Sequence, residues 1–190
     1  MWRFDDNELL QDAYKASNGE AIDYTTYGNV ENELSLCHTN DAVDAINTLW
    51  NQRHAELNAD KKEVVGFDNT KYTMYKGLIL MAYKTHTGNI FTNSQELTIH
   101  SWTDDKFILL THDNKQIELD IKYTASFKPR YAMTVHKSQG SAFTKPYSIY
   151  EHKHMKANML YVALTRARDK GQINFCEISN HTPYKGYIWL

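Results

Sequence analysis

Hydrophobic positions in the first sixty residues recur at helical spacing in two stretches. Residues 5–16 carry acids in the first turn and precede Asn18-Gly19, which predicts a short helix that ends there. A second helix is predicted from the N-cap sequence Thr39-Asn40-Asp41 to about His54, with its apolar residues on one face. Between the two helices, residues 33–38 are apolar enough to form a short buried strand.

Between Lys61 and Ser126 the pattern changes to short runs that are typical of strands. Polar turns such as Thr87-Gly88-Asn89 and Asp113-Asn114 separate these runs. Closely spaced antiparallel strands of this kind predict a small β-barrel, which we place at residues 61–126.

Helical patterns return after this region. We predict a helix over residues 130–139, because Pro129 fits a first helical turn and Gly140 fits a C-terminal cap. A strand is predicted at residues 147–150, where four apolar or small residues follow one another.

The last part of the chain predicts one more helix and a closing strand. The helix runs from about His154 to Arg168, and the strand covers residues 172–178. With the barrel set aside, the order β-α-α-β-α-β predicts an α/β domain with a mostly parallel sheet. This domain would consist of residues 1–60 and 127–190.

Composition indicates a folded protein. The chain has 190 residues, of which 42% are hydrophobic and 13% aromatic, enough for one or two small domains with a core. Its two cysteines, Cys37 and Cys176, lie far apart, which fits a reducing compartment. No apolar run is long enough to span a membrane and no signal peptide is recognisable, so we expect a soluble, intracellular protein.

Charge is distributed unevenly along the chain. Residues 121–170 hold ten Lys or Arg against two acids, a net +8, so the rest must carry −10 to give the overall −2. Such asymmetry is typical of a site for a polyanion. Without further motifs, a solvated basic face is the simpler explanation.

Residues 134–140, Thr-Val-His-Lys-Ser-Gln-Gly, place several polar side chains together. Thr134, His136 and Ser138 can donate hydrogen bonds to phosphate oxygens, and Lys137 adds a positive charge. Gly140 permits a close approach of the backbone. An ordinary polar helix terminus is the alternative interpretation.

Residues 161–168, Tyr-Val-Ala-Leu-Thr-Arg-Ala-Arg, contain an arginine of interest. The guanidinium of Arg166 can bridge phosphate oxygens and stabilise charge during phosphoryl transfer. Arg168 lies two residues further on and is expected to pair with a local acid or face solvent. Taken alone, Arg166 would be assigned to a surface salt bridge.

Three further groups of residues have competing interpretations. Thr39 and Asn40 would place a hydroxyl, an amide and helix N–H groups near a phosphate, although a plain N-cap is sufficient to explain them. His136, His152 and His154 lack a carboxylate or cysteine to complete a metal site, so we expect solvated histidines and no metal. Six aromatics of the strand region either stack on bases or, more simply, form the barrel core: Tyr72, Tyr75, Tyr83, Phe91, Trp102 and Phe107.

The segments 134–140 and 161–168, in this order, resemble the last two signature motifs of superfamily 1 helicases. Residues 36–47 resemble the fourth motif of that family. The Ser-Gln-Gly ending of the first segment is similar to the superfamily 1B branch, the RecD, Dda and Pif-type DNA helicases. The Lys-Gly-Leu-Glu ending of the UvrD and Rep branch is absent.

The resemblance implies the C-terminal RecA-like lobe of an ATP-dependent helicase, with an inserted SH3-like barrel and 5′-to-3′ translocation on single-stranded DNA. Viral RNA helicases share a similar motif, so RNA stays an alternative. The nucleic-acid contacts it implies are Thr39, Asn40, Thr134, His136, Lys137 and Ser138. Gln139, Gly140 and Arg166 would face the nucleotide, with Arg166 as an arginine finger.

Two features depart from the complete family pattern. The sequence has no Gly-x-x-x-x-Gly-Lys-Ser/Thr loop and no magnesium-binding Asp-Glu pair. ATP and Mg²⁺ would therefore be bound mainly by a separate N-terminal lobe, and residues 2–5 resemble the segment that joins that lobe to this one. Ser141 follows the Ser-Gln-Gly ending, and many relatives place a carboxylate one or two positions after that ending. The resemblance therefore does not imply a contact from this loop to the nucleotide ribose.

We therefore expect either a fragment or a stand-alone remnant that does not hydrolyse ATP alone. Expected partners are single-stranded DNA, the N-terminal lobe and proteins of replication or repair. A non-catalytic nucleic-acid-binding module and a domain that docks a protein partner are the competing hypotheses.

Overall fold

A computed structural model describes residues 5–178, so residues 2–4 of the joining segment lie outside the described part. The chain divides into two compact units. One unit is formed by the chain up to Ile46 and from Ala132 onward, and the other by Asn47–Tyr131.

The described residues form three helices and eleven strands. The helices are α1 (Asn7–Ser17), α2 (Asn40–Glu56) and α3 (Ala157–Leu164). The strands are β1 (Ser35–Cys37), β2 (Lys62–Val65), β3 (Lys71–Met74), β4 (Ile79–Ala82), β5 (Glu96–Trp102), β6 (Lys106–Leu110), β7 (Gln116–Asp120), β8 (Phe127–Pro129), β9 (Ala132–Thr134), β10 (Tyr147–Tyr150) and β11 (Ile173–Cys176).

The first unit is built on a parallel sheet with the order β11-β10-β1-β9. Every residue of β1, β10 and β11 is buried, as expected for a parallel sheet that is covered on both faces. The predicted α/β domain with a parallel sheet is confirmed.

Capping side chains mark the start of the two N-terminal helices. The carboxylate of Asp6 accepts hydrogen bonds from the backbone N–H of Glu8 (2.8 Å) and Leu9 (3.3 Å) at the start of α1. Gly19 then takes a left-handed φ of 74° just after the helix. At α2, the hydroxyl oxygen of Thr39 accepts a hydrogen bond from the N–H of Ala42 at 3.2 Å.

The second unit contains a five-stranded antiparallel sheet, β7-β6-β5-β4-β8, and the two-stranded ribbon β2-β3. The strand-like runs predicted between Lys61 and Ser126 form the strands β2 to β7. Tyr72, Tyr75, Phe91 and Phe107 are buried in the core, whereas Tyr83 and Trp102 are partly exposed. The SH3-like closure and the limits at residues 61 and 126 stay predictions.

The helix predicted over residues 130–139 is wrong. The segment contains β9 and then a turn over residues 135–140. Pro129 ends β8, an edge strand that pairs only with β4 in the described sheet, and an edge tolerates the missing N–H of proline. Ala132 and Met133 pair with β1, and so short an apolar run does not distinguish a strand from a buried helix.

The helix predicted over residues 154–168 is shorter than expected. A 3-10 turn at His152–His154 precedes α3, which ends at Leu164. Arg166 and Arg168 therefore lie in the turn that follows α3, before β11.

Candidate nucleic-acid interface

Two of the three motif segments begin side by side at the carboxyl ends of neighbouring strands. Cys37 at the end of β1 is in register with Thr134 at the end of β9. The N–H of Val135 donates a hydrogen bond to the carbonyl of Cys37 at 3.1 Å, just beyond the strand pairing. The carboxyl edge of a parallel α/β sheet is where ligands bind most often in such folds.

The turn over residues 135–140 is held by its own hydrogen bonds. The N–H of Lys137 donates to Thr134 Oγ1 at 3.3 Å, and the N–H of Ser138 donates to the Thr134 carbonyl at 3.2 Å. The hydroxyl of Ser138 is fully buried and donates to the carbonyl of Val135 at 2.7 Å. Ser138 thus shapes the turn from inside, whereas His136 and Gln139 are exposed and Lys137 is half-buried.

The backbone conformation at position 140 requires glycine. Its φ is 85°, a left-handed value that favours glycine. A Cβ at this position would meet nothing within 4 Å. The backbone angle is therefore sufficient to explain glycine here, and the close approach to a ligand stays a prediction.

Arg166 joins the two motifs directly. Its Nη1 donates to the carbonyl oxygens of Ser138 (3.2 Å) and Ser141 (2.7 Å). Its Nε donates to the carbonyl of Val162 at 3.0 Å, and its Nη2 to the hydroxyl of Thr165 at 3.1 Å. Partial burial lowers the pKa of Arg166, and the group stays a cation because an arginine pKa starts so high.

The segment at the start of α2 is bound by a side chain that the sequence did not single out. One carboxylate oxygen of Glu151 accepts hydrogen bonds from the N–H groups of His38 (3.0 Å) and Thr39 (2.9 Å). The other accepts from the hydroxyl of Thr39 at 2.9 Å. Asn40 is exposed as the first residue of the helix. The available signal was that Glu151 is one of only two acids in the basic stretch.

The basic excess of residues 121–170 is partly neutralised by neighbours. At least four of its ten cations form ion pairs: Lys122 with Asp120 (3.2 Å), Arg130 with Glu96 (2.6 Å), Lys153 with Glu177 (2.7 Å) and Lys170 with Asp12 (3.1 Å). Arg168 is exposed, one of the two surroundings expected for it. The stretch is therefore not one continuous basic face.

The remaining candidates add no site. Among residues 5–178 no three His, Cys, Asp or Glu side chains are placed to hold a metal ion. The expectation of a solvated side chain is wrong for His152, which is buried, with its ring 4.5 Å from that of Tyr24 and 4.8 Å from that of Phe175. None of the helices in the described chain is long and apolar enough to cross a membrane.

Known proteins resemble the chain in both sequence motif and fold. Residues 129–171, which contain both motifs, match the UvrD-like helicase C-terminal domain. A Pif1 helicase solved to explain unwinding of forked double-stranded DNA by two coordinating Pif1 helicases superposes with a TM-score of 0.72 at 15% identity, over 92% of this chain and 48% of its own. The chain has the fold of the C-terminal lobe of a superfamily 1 helicase.

Two further structures share this fold. Pif1 from Bacteroides, in complex with ADP-AlF3 and single-stranded DNA, gives a TM-score of 0.66 at 16% identity over 92% of this chain and 50% of its own. Pif1 from Candida albicans gives a TM-score of 0.67 at 12% identity, over 94% of this chain and 55% of its own. The chain spans about half of the length of these relatives. No curated protein sequence matches the chain.

The predicted resemblance to the Pif-type branch and the RecA-like fold class are thereby confirmed. The roles of individual residues in binding DNA or nucleotide stay predictions.

Proposed function

We propose that this chain is the C-terminal motor lobe of an ATP-dependent DNA helicase that moves 5′ to 3′ on single-stranded DNA. In this proposal Asn40, Thr134, His136 and Lys137 contact the strand, and Arg166 serves ATP hydrolysis. The polarity and a role in replication or repair rest on the resemblance to superfamily 1B.

The single observation that carries the proposal is the adjacency of the motif segments. The segments that follow β1 and β9 start from paired residues at one sheet edge, and the second carries an exposed histidine and a half-buried lysine. A phosphate backbone is recognised by such cations and polar groups. The match of residues 129–171 to a helicase domain supports the same role.

The residues present fit only part of a nucleotide site. Arg166 supplies a cation, and Gln139 supplies an exposed amide, but the sequence has no phosphate loop to cradle ATP and Mg²⁺. Bound ATP would supply the phosphoryl group whose transfer drives movement. We expect no ATP hydrolysis by the chain alone, because a guanidinium without a phosphate cradle lacks most of the positioning that the reaction needs.

The proposal is tested by fluorescence anisotropy of a labelled oligo(dT) titrated with the chain at low and moderate salt. The double variant His136→Ala/Lys137→Ala should bind much more weakly than the wild type. The matched control is His112→Ala/Lys115→Ala, which removes the same two side-chain types from exposed positions near the β6–β7 turn.

Weak binding that falls with salt and is lost only in the motif variant supports the proposal. Equal binding by all three proteins would contradict it, as would the absence of any binding by the wild type at low salt. A labelled oligo(U) in parallel distinguishes DNA from RNA.

A second function, that of a nucleic-acid-binding module without catalysis, is favoured by one observation. Arg166 donates hydrogen bonds to backbone carbonyls. Its donors bond to oxygens of Val162, Ser138, Ser141 and Thr165, so the residue already has a structural role. In a purely nucleic-acid-binding module this would be its only role. ATPase assays of Arg166→Ala in the presence of a complementary N-terminal lobe separate the two functions, because only the motor requires Arg166 for turnover.

A further inference from the structure

Glu151 connects two elements at the proposed strand-binding edge. It follows β10 directly, and its carboxylate accepts hydrogen bonds from His38 and Thr39, which follow β1. The Thr39 hydroxyl that donates to Glu151 also accepts from the N–H of Ala42 at 3.2 Å, so the same contact runs on into the first turn of α2. The imidazole Nδ1 of His38 lies 3.0 Å from the sulfur of Met159 in α3, a second tie on this segment.

These contacts change which residue of the segment is available to a ligand. Both the N–H and the hydroxyl hydrogen of Thr39 are donated to Glu151, so neither is left for a phosphate oxygen. Asn40, the next residue, is exposed. The contact with nucleic acid predicted for this segment therefore belongs to Asn40, and Thr39 holds the segment in place.

The charge of Glu151 makes its position informative. A carboxylate beside a polyanion site opposes binding by repulsion, so a Glu151 without a role in the site would weaken the affinity. Its backbone also takes the left-handed φ of 58°, a conformation that costs energy for a residue with a side chain. Charge-assisted hydrogen bonds to two N–H groups and one hydroxyl offset these costs by fixing the segment.

We propose that Glu151 is a positioning residue that fixes the His38–Asn40 segment so that Asn40 can contact a single nucleic-acid strand. The inference rests on the proposed function and adds a residue to it. Glu151 touches no ligand itself and acts through Thr39.

Two substitutions separate positioning from charge. Glu151→Ala and Glu151→Gln remove the same negative charge, but glutamine keeps a side-chain oxygen that accepts from the N–H groups. We expect oligo(dT) affinity to fall about threefold to tenfold in Glu151→Ala, the size of one lost hydrogen bond. Glu151→Gln should bind as well as the wild type or more tightly. Glu177→Ala removes an exposed carboxylate of the same unit and should not weaken binding.

A double-mutant cycle with Asn40→Ala tests the route of action. If Glu151 acts through the segment, Glu151→Ala has little further effect once Asn40 is alanine. Thr39→Val removes the hydroxyl partner with little change of shape, so it should weaken binding even if Glu151→Ala does not fold. Hydrogen exchange of the His38 and Thr39 amides should be faster in every variant that breaks these contacts.

The outcomes distinguish this inference from the proposed function. If the wild type binds, the His136/Lys137 double variant does not, and both Glu151→Ala and Thr39→Val bind normally or more tightly, the positioning role is overturned while the motor lobe stands. Additive effects of Glu151→Ala and Asn40→Ala overturn it as well. If the wild type itself does not bind oligo(dT), the proposed function fails first.

Discussion

Single side chains around the motifs are held by the backbone of other segments. Arg166 binds the carbonyls of Ser138 and Ser141, and Glu151 binds the N–H groups of His38 and Thr39. Each of these side chains joins residues far apart in the sequence. A substitution at either position should therefore alter the shape of a loop before it alters the charge of a site.

The variant Arg166→Lys tests whether the hydrogen bonds of Arg166 support the shape of its loop. Lysine keeps the charge but lacks the planar set of donors that reaches several oxygens at once, so we expect a loss of about 1–2 kcal/mol in the free energy of unfolding. Urea denaturation followed by circular dichroism measures it. Arg168→Lys is the control, since that side chain is exposed, and should change stability by less than about 0.5 kcal/mol. Equal stability of the two variants would contradict this structural role of Arg166.

His152 predicts a pH dependence. Burial lowers the pKa of this imidazole from its ordinary value of 6.5, so below pH 6.5 the unfolded state binds more protons than the folded state. Its contribution to stability is complete above pH 6.5 and is lost as the pH falls toward the folded pKa. The urea midpoint should drop between pH 7.5 and 5 by more in the wild type than in His152→Phe. A parallel decline in both proteins would refute the assignment to His152.

Within the first unit, a compact group of polar contacts holds the helix α1 in place. Asp12 accepts hydrogen bonds from the Tyr27 hydroxyl at 2.8 Å and from Lys170 Nζ at 3.1 Å, and its side chain is only 11% exposed. Lys170 also lies over the ring of Tyr27, 4.5 Å from its centroid. The helix thus depends on a partner from the far end of the unit.

Asp12→Ala should accordingly be more damaging than the loss of an exposed pair. It leaves the mostly buried Lys170 and Tyr27 without their shared acceptor, which we expect to cost about 2–3 kcal/mol. Glu63→Ala breaks the exposed pair with Lys71 in the β2–β3 ribbon and should cost less than about 1 kcal/mol. Comparison of the two thermal unfolding midpoints checks the difference, and similar midpoints would show that Asp12 is not an anchor.

The elements that the sequence predicted are those with local signals. The caps at Asp6 and Thr39 act within a few residues, and the strand-like runs of the second unit are separated by polar turns close to them in the sequence. The helix wrongly predicted over residues 130–139 stands in place of a strand that has no local signal. This strand is three residues long and exists because it pairs with β1, almost a hundred residues earlier. Likewise, the pairing of Glu151 with Thr39 spans 112 positions and leaves no periodic trace.

At the scale of the whole molecule, the net charge of −2 sets a modest attraction to nucleic acid. At least four of the ten cations of the basic stretch are paired with acids, which lowers the number that can displace counterions from a phosphate backbone. A binding surface of this kind should show a shallow dependence on salt. Lys137 lies within the motif turn and is the cation we expect to contribute most.

Each phosphate neutralised on a single strand contributes a slope of about −0.7 to the plot of log K against log salt concentration. Lys137→Ala should therefore make the slope less negative by about 0.7, whereas Lys115→Ala, an exposed lysine paired with Asp113 in the second unit, should leave it unchanged. Anisotropy titrations with oligo(dT) at four or more salt concentrations supply the slopes. A uniform loss of affinity in Lys137→Ala with an unchanged slope would mean that Lys137 supports the turn rather than a phosphate. Strand contact would then rest on His136 and Asn40, because both are exposed at the same sheet edge.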